Sequence, residues 1–189
     1  MDDKAQRFRQ LYEAYYGSVS AYARRRLPDG DLAQDAVSET FLVAWRRLSD
    51  VPAGSDTLPW LYGVARRVIA NQRRGSQRRA ELSNRLAREW LPGREVEAGV
   101  LFDDERRAVL SALVRLREGD QEILRLSVWE ELSHREIGLV VGCSEATVAV
   151  RLHRARNRLG REIEKGRARS GHDSSPRPPD QHGKAPNDY

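Results

Sequence analysis

The residues best suited to molecular recognition lie near the C-terminal end of the chain. Val148, Leu152, Ala155 and Leu159 recur at helical spacing and form one apolar stripe. Turning about 100° per residue from Val148 puts Val150, His153, Arg154 and Asn157 on the opposite side. Arg151 and Arg158 fall on one flank, Ala149 and Arg156 on the other. The chemistry on offer is recognition rather than bond making. A guanidinium fork pairs with a guanine edge or a phosphate, and a short helix carrying one fits a major groove. The alternative is a helical hairpin with a solvated basic face.

What must position that face lies just before it. Ser133 followed by Glu136 is a capping box, so a helix starts there, with Ile137, Val140 and Val141 as its apolar stripe. Gly142 can take the left-handed conformation that ends a helix, and Ser144 is a good N-cap for the next. The pattern predicts a helix-turn-helix over residues 132–159. The single cysteine, Cys143, sits in the turn as a small apolar filler or, less simply, a redox switch. One cysteine excludes an intrachain disulfide and a cysteine-based zinc site.

Two further clusters precede it. Thr57 and Pro59 open a helix whose core side is Leu61, Val64, Ala65 and Val68. Arg66, Arg67, Arg73 and Arg74 face out, with Tyr62 beside them. Arginines interleaved with an aromatic suit single-stranded or unwinding nucleic acid, although a solvated charged face has the same composition. Upstream, Asp31 can cap a helix to about Leu48, cored by Ala33, Val37, Phe41, Ala44 and Leu48. Its other side mixes Asp35 and Glu39 with Leu32, Leu42 and Val43. A helix apolar on both sides is either deeply buried or meets a partner, and the acids among the leucines favour a basic partner.

The remaining organisation is helical. Residues 4–27 carry Phe8, Leu11, Tyr12, Tyr15, Val19, Tyr22 and Leu27 at helical spacing, with a break expected at Gly17-Ser18. Pro28-Asp29-Gly30 reads as a turn and residues 49–56 as a loop. Periodicity weakens from Gly75 to Gly99, where Leu82, Leu86 and Trp90 hint at a helix before Pro92-Gly93. Residues 102–117 resume as a helix through Val109, Leu110, Leu113 and Leu116. Gly119-Asp120 reads as a break and cap before a helix from Gln121 to Glu130, with Ile123, Leu124, Leu126 and Trp129 partly buried. The expectation is an all-α chain with two small helical domains, residues 1–75 and 101–165, joined by a flexible linker over 76–100, and a disordered tail over 166–189.

The chain has 189 residues and a net charge of +5, with 33 Lys and Arg against 28 Asp and Glu. The bases are nearly all arginine, which suits phosphate and guanine, though a bias toward arginine codons contributes as well. A charged N-terminus and the lack of any long apolar run predict a soluble, intracellular protein without membrane insertion. No cofactor or metal site is expected.

Three segments together carry a resemblance. DLAQDAVSETFLVAWRRL, TLPWLYGVARRVIANQRR and LSHREIGLVVGCSEATVAVRLHRARNRL stand in that order within residues 5–162. They resemble the core-binding stretch, the −10 helix and the region 4 helix-turn-helix of a bacterial RNA polymerase sigma factor of the extracytoplasmic-function (ECF) type. The resemblance implies a non-enzymatic promoter-specificity subunit whose partners are core RNA polymerase (β′ and β subunits), promoter DNA and an anti-sigma factor. It places the protein in the bacterial cytoplasm at the nucleoid. Asp35 and Glu39, flanked by Leu32 and Leu42, match positions that meet the basic coiled coil of β′. Tyr62, Arg66, Arg67, Arg73 and Arg74 fall on the −10 helix, and the loop over 49–56 corresponds to the loop that captures a flipped base. His153 and Arg154 match base-reading positions, Arg151 and Arg156 phosphate-contacting ones. Ala149 and Val150 stand where the family often has Lys or Arg and Ser, which implies a different −35 sequence; Ser38 replaces a frequent Gln. No region 3 and no extra inhibitory N-terminal region are expected. The rival readings are a helix-turn-helix regulator with an N-terminal dimerisation or signal-binding domain, and a recombinase, which would need a strand-rich domain with a nucleophile.

Overall fold

The computed structural model describes residues 3–86 and 104–172, and all regular structure among them is helical. The order is α1 (Asp3–Arg24), α2 (Gly30–Arg46), α3 (Thr57–Leu86), α4 (Asp104–Arg115), α5 (Glu118–Val128), α6 (His134–Val141) and α7 (Glu145–His172), with 3₁₀ turns at Leu48–Asp50 and Gly54–Asp56. α1, α2 and α3 pack together as one unit; α7 packs against α4, α5 and α6 as a second. The all-helical, two-unit expectation holds.

In the first unit, Leu11, Val19, Tyr22 and Ala23 of α1 face Ala33, Ala36, Val37, Phe41 and Ala44 of α2 and Leu61, Val64, Ala65 and Val68 of α3. α1 is unbroken at Gly17-Ser18. A helical glycine costs only about 1 kcal/mol, and the buried Val19 and Tyr22 that follow outweigh it. The cap of α2 is Asp29, not Asp31: its carboxylate accepts from the backbone N–H of Asp31 at 2.9 Å and of Leu32 at 3.0 Å. Asp31 instead lies in the first turn, where a negative charge suits the helix dipole. The Thr57 hydroxyl donates to the Pro52 carbonyl at 2.8 Å, and Arg7 donates to the Val51 carbonyl at 3.1 Å. These two bonds tie the loop over 49–56 to the start of α3 and to α1.

α3 runs to Leu86, so residues 76–86 of the expected linker continue a helix; Trp90 and the rest of the linker lie outside the described residues. α5 begins at Glu118 rather than Gln121. Gly119 and Asp120 therefore occupy its first turn, where glycine is tolerated and an acid favoured. No side chain caps the start of α5, whose N-cap position is Arg117; Gln121 instead donates to the Leu116 (2.9 Å) and Val114 (3.2 Å) carbonyls at the end of α4. α7 continues past Lys165 to His172, into the segment expected to lack structure.

The helix-turn-helix forms as its local residues dictate. Ser133 caps α6 with the full reciprocal box: Glu136 accepts from the Ser133 backbone at 2.8 Å, and the Ser133 hydroxyl accepts from the Glu136 N–H at 3.3 Å. Gly142 ends the helix at φ 75°, and the Ser144 hydroxyl accepts from Thr147 N–H at 3.3 Å. The turn is tighter than its sequence suggests, because a Cβ on Gly138 would stand 2.6 Å from the Cys143 carbonyl oxygen. Gly138→Ala is expected to lower stability by about 1–3 kcal/mol, since the turn must move to admit the methyl. Gly160→Ala, where a Cβ meets nothing within 4 Å, should raise it by about 0.5–1 kcal/mol. Denaturant unfolding of the two variants checks the contrast.

Candidate nucleic-acid interface

The far side of α7 is presented outward. Val148, Leu152 and Ala155 are buried, while Val150 is 50% exposed and His153, Arg154, Arg156 and Asn157 lie in solvent. Asn157 Nδ2 stands 3.0 Å from His153 Nε2, which lends the two side chains a common orientation. The flanks differ. Arg158 is held by Asp120 at 2.6 Å, and Arg151, half-buried, turns its guanidinium toward Gly119 rather than Glu136. Arg156 keeps the exposed position expected of it, and Ala149 is half-buried.

A second face lies on α2. Asp35 and Glu39 are exposed, Leu32 and Leu42 stand out at 36% and 45%, and only Val43 folds in against the core. The burial alternative for this side is therefore overturned. Leu42 continues into an aromatic groove of about 320 Å³ between α1 and α2, lined by Phe8, Tyr12, Tyr16, Phe41 and Trp45. Phe8 meets Trp45 edge-on with ring centroids 5.1 Å apart, and Tyr12 tilts against Phe41 at 4.8 Å. Sequence spacing placed Phe8, Tyr12 and Phe41 on apolar stripes; Phe41 is buried, whereas Tyr12 is 40% exposed.

The basic helix α3 is not as expected. Arg67 and Arg74 are exposed and Arg66 half-buried, but Tyr62 is 3% exposed and faces inward. Its ring stacks on Tyr22 at 4.7 Å, and α6 of the second unit packs against α3 beside it. Val140 O would stand 3.6 Å from a Cβ on Gly63, so the two helices meet nearly backbone to backbone. Burial, with the Glu130 charge nearby, pushes the Tyr62 phenol up to about 12. Arg73 is also engaged, pairing with Glu118 and donating to the Arg26 carbonyl at 2.6 Å. A cleft of about 510 Å³ remains between α3 and α5, with Arg66, Arg67 and Arg74 along it.

At the centre of the contact is Arg26, which sequence reading left among helix-ending cations. Its guanidinium is buried over the Tyr22 ring, 3.4 Å from the centroid. It donates to Glu122 at 2.9 and 3.2 Å and to Glu130 at 2.9 Å, and Tyr22 Oη donates to Glu122 at 2.7 Å. Arg25 adds a pair to Glu130, and Arg135 of α6 pairs with Asp56 at the end of the 49–56 loop. The hydrogen bond from Arg135 holds the Asp56 carboxyl below the usual carboxylate range. Nothing local signals these contacts, whose partners are some 80–105 positions apart. A second apolar groove was also missed: Val109, Leu110, Val128 and Trp129 line an exposed channel between α4 and α5, where the sequence reading took Val109 and Leu110 only as helix markers, Trp129 as partly buried, and did not name Val128.

The chain matches Sigma-70 region 2 over residues 11–79 and Sigma-70, region 4 over residues 106–159. It is 32% identical over 163 residues to the ECF RNA polymerase sigma factor BldN of Streptomyces coelicolor, covering 84% of this chain and 61% of BldN, so it spans less than two thirds of that relative's length. It is 28% identical to RNA polymerase sigma factor YlaC of Bacillus subtilis, covering 83% of this chain and 92% of YlaC. Its fold is similar to that of the sigma factor RpoE in complex with the anti-sigma factor NepR from Bartonella quintana, with a TM-score of 0.62, 25% identity, and coverage of 83% and 96% of the two chains.

The stacked tyrosines make the contact between units visible in solution. The raised pKa of Tyr62 means that folding favours its neutral form. That contribution is complete below pH 10 and is lost as pH rises toward about 12. Burial and the neighbouring Glu122 shift Tyr22 in the same direction. Ultraviolet titration is expected to show the Tyr22 and Tyr62 phenols ionising late, and Tyr62→Phe to remove one of these late steps.

Proposed function

Because the chain belongs to the ECF group of sigma-70 factors, we propose that it binds core RNA polymerase and directs promoter-specific initiation at −10 and −35 elements, acting at the nucleoid in the bacterial cytoplasm and catalysing nothing itself. The observation that carries the reading is the pairing, in one chain, of an outward helix-turn-helix face with an exposed acid-and-leucine face on α2. A regulator that only bound DNA would have no use for the second. Among the described residues no helix is long and apolar enough to cross a membrane.

Each face takes one role in this reading. Leu32, Asp35, Glu39 and Leu42, with the aromatic groove beside them, receive the β′ subunit: the leucines supply contact area and the acids select a basic partner. The groove between α4 and α5 is a second apolar surface, suited to the β subunit. Arg66, Arg67 and Arg74 follow the backbone of the −10 strand, while Tyr62, buried on Tyr22, and Arg73, paired with Glu118, support the helix from behind. His153 and Arg154 read base edges at the −35 element, with Ala149 and Val150 giving apolar contact, while Arg151 and Arg156 bind phosphate. The Bartonella complex supports an anti-sigma factor as a further partner.

Asp35→Arg or Glu39→Arg is expected to weaken core polymerase binding roughly tenfold or more, because each brings like charge to the contact. Both side chains are exposed, so circular dichroism should stay unchanged. Wild-type affinity in both folded variants would remove the docking assignment. At the other end, Arg154→Ala should relax preference at one −35 position, at a cost of about 1–3 kcal/mol in discrimination. Arg156→Ala should weaken all sequences alike and lower the salt slope by about 0.9. A promoter library selected over a salt series separates them; an Arg154→Ala protein with unchanged base preference would shift the reading role to His153.

A further inference from the structure

The outward row of α7 contains one side chain to which the proposed function gives no task. Asn157 lies one turn beyond His153 on the same side of the helix, and both are exposed. An amide facing a groove suggests an adenine reader, since Asn can pair with N6 and N7 together. Here the amide nitrogen is already committed: Asn157 Nδ2 donates to His153 Nε2 at 3.0 Å. Among the described residues each is the other's one side-chain partner.

The direction of that bond has a chemical consequence. An amide nitrogen has hydrogens to give and no lone pair to offer, so Nε2 must accept. A neutral imidazole carries a single N–H, and with Nε2 bare its proton is on Nδ1. A base that meets the ring through Nδ1 then meets a donor. Guanine N7 and O6, adenine N7 and thymine O4 can accept from it, whereas cytosine shows the major groove only its N4–H donor. A ring without Asn157 can carry its proton on either nitrogen, and a bare Nδ1 accepts from cytosine. Of the proposed base readers, His153 alone has a donor pattern that its own chemistry leaves open. Arg154 donates in every state, and Ala149 and Val150 have no side-chain polar group. An exposed pair one helical turn apart adds little to stability, so the effect of Asn157 lies in what it does to the ring.

From this geometry we infer that Asn157 is a positioning residue for specificity: by donating to Nε2 it fixes the His153 proton on Nδ1, so that the recognition helix refuses cytosine at one position of its DNA site. The inference rests on the sigma-factor reading, which makes α7 the reader of the −35 element.

The test has two arms, both on the full chain. The first is nitrogen NMR of the histidine rings at about pH 8, above the range in which an imidazole ordinarily takes a second proton. The His153 signals are those lost in His153→Ala. Expected are a protonated Nδ1 and a bare Nε2 in the wild-type chain, and a mixture of tautomers in Asn157→Leu, which keeps the approximate size of the side chain and removes the bond. The second arm is a promoter library transcribed with core polymerase. The position read by His153 is the one whose preference His153→Ala abolishes. There the wild-type chain should reject the G·C pair in one orientation and take the other three pairs. Asn157→Leu should admit the rejected pair about fivefold more often, with circular dichroism unchanged, and should do nothing further when His153 is already alanine. A bare Nδ1 in the wild-type chain overturns the inference. So does an Asn157→Leu chain with wild-type preference, or one that alters preference in the absence of His153, which would make Asn157 a reader itself. If promoters are used but His153→Ala abolishes no preference, the inference fails and the sigma-factor reading stands. If no promoter is used at all, the sigma-factor reading fails and takes the specificity role with it, while the NMR arm still decides the tautomer.

Discussion

A guanidinium removed from water must be given back its hydrogen bonds, and Arg26 receives them from the other half of the chain. Burial alone works against its charge, but the Tyr22 oxygen, the Glu122 carboxylate and the bonds to Glu122 and Glu130 outweigh that penalty and raise its pKa. The arrangement is strict. Glu130 is as deeply placed as Arg26, with side chains 1% and 3% exposed, and either ion alone would face a cost of several kcal/mol. This one requirement sets how α1 meets α5, and through the α3–α6 crossing it decides which surfaces of the protein face solvent.

The two units answer to different kinds of constraint. Within the second, geometry is local and rigid: a capping box, a left-handed glycine and a glycine with no room for a methyl fix the angle between α6 and α7. That rigidity suits a face that must present His153 and Arg154 at fixed positions. Between the units the bonds are polar and distant in sequence, and the backbone approach at Gly63 is close but not interlocked.

What was legible in the sequence follows the same line. Ser133, Glu136, Gly142 and Ser144 act on neighbours within a few residues, so their roles could be read directly. The acid-and-leucine side of α2 was legible because one helix cannot bury both its faces in a three-helix unit. Tyr62 and Arg73 were misplaced because a helical wheel shows which way a side chain points and not what another domain lays across it. Arg26 was unreadable, since a third arginine in a row carries no mark of a partner at Glu122. The cap of α2 and the start of α5 slipped by two or three residues where an acid served the dipole from inside the helix instead of bonding from its edge.

The polar make-up of the contact also bears on how the protein behaves in a crowded cell. Two domains held by leucines would, each time they separated, show a greasy patch to every other chain nearby and invite aggregation. Here the contact also carries Arg26, Glu122, Glu130, Arg73 and Glu118, all of which would hydrate readily if exposed, beside Tyr22 and the side of α6 around Val140. These charges lessen the apolar patch that any parting of the units would show.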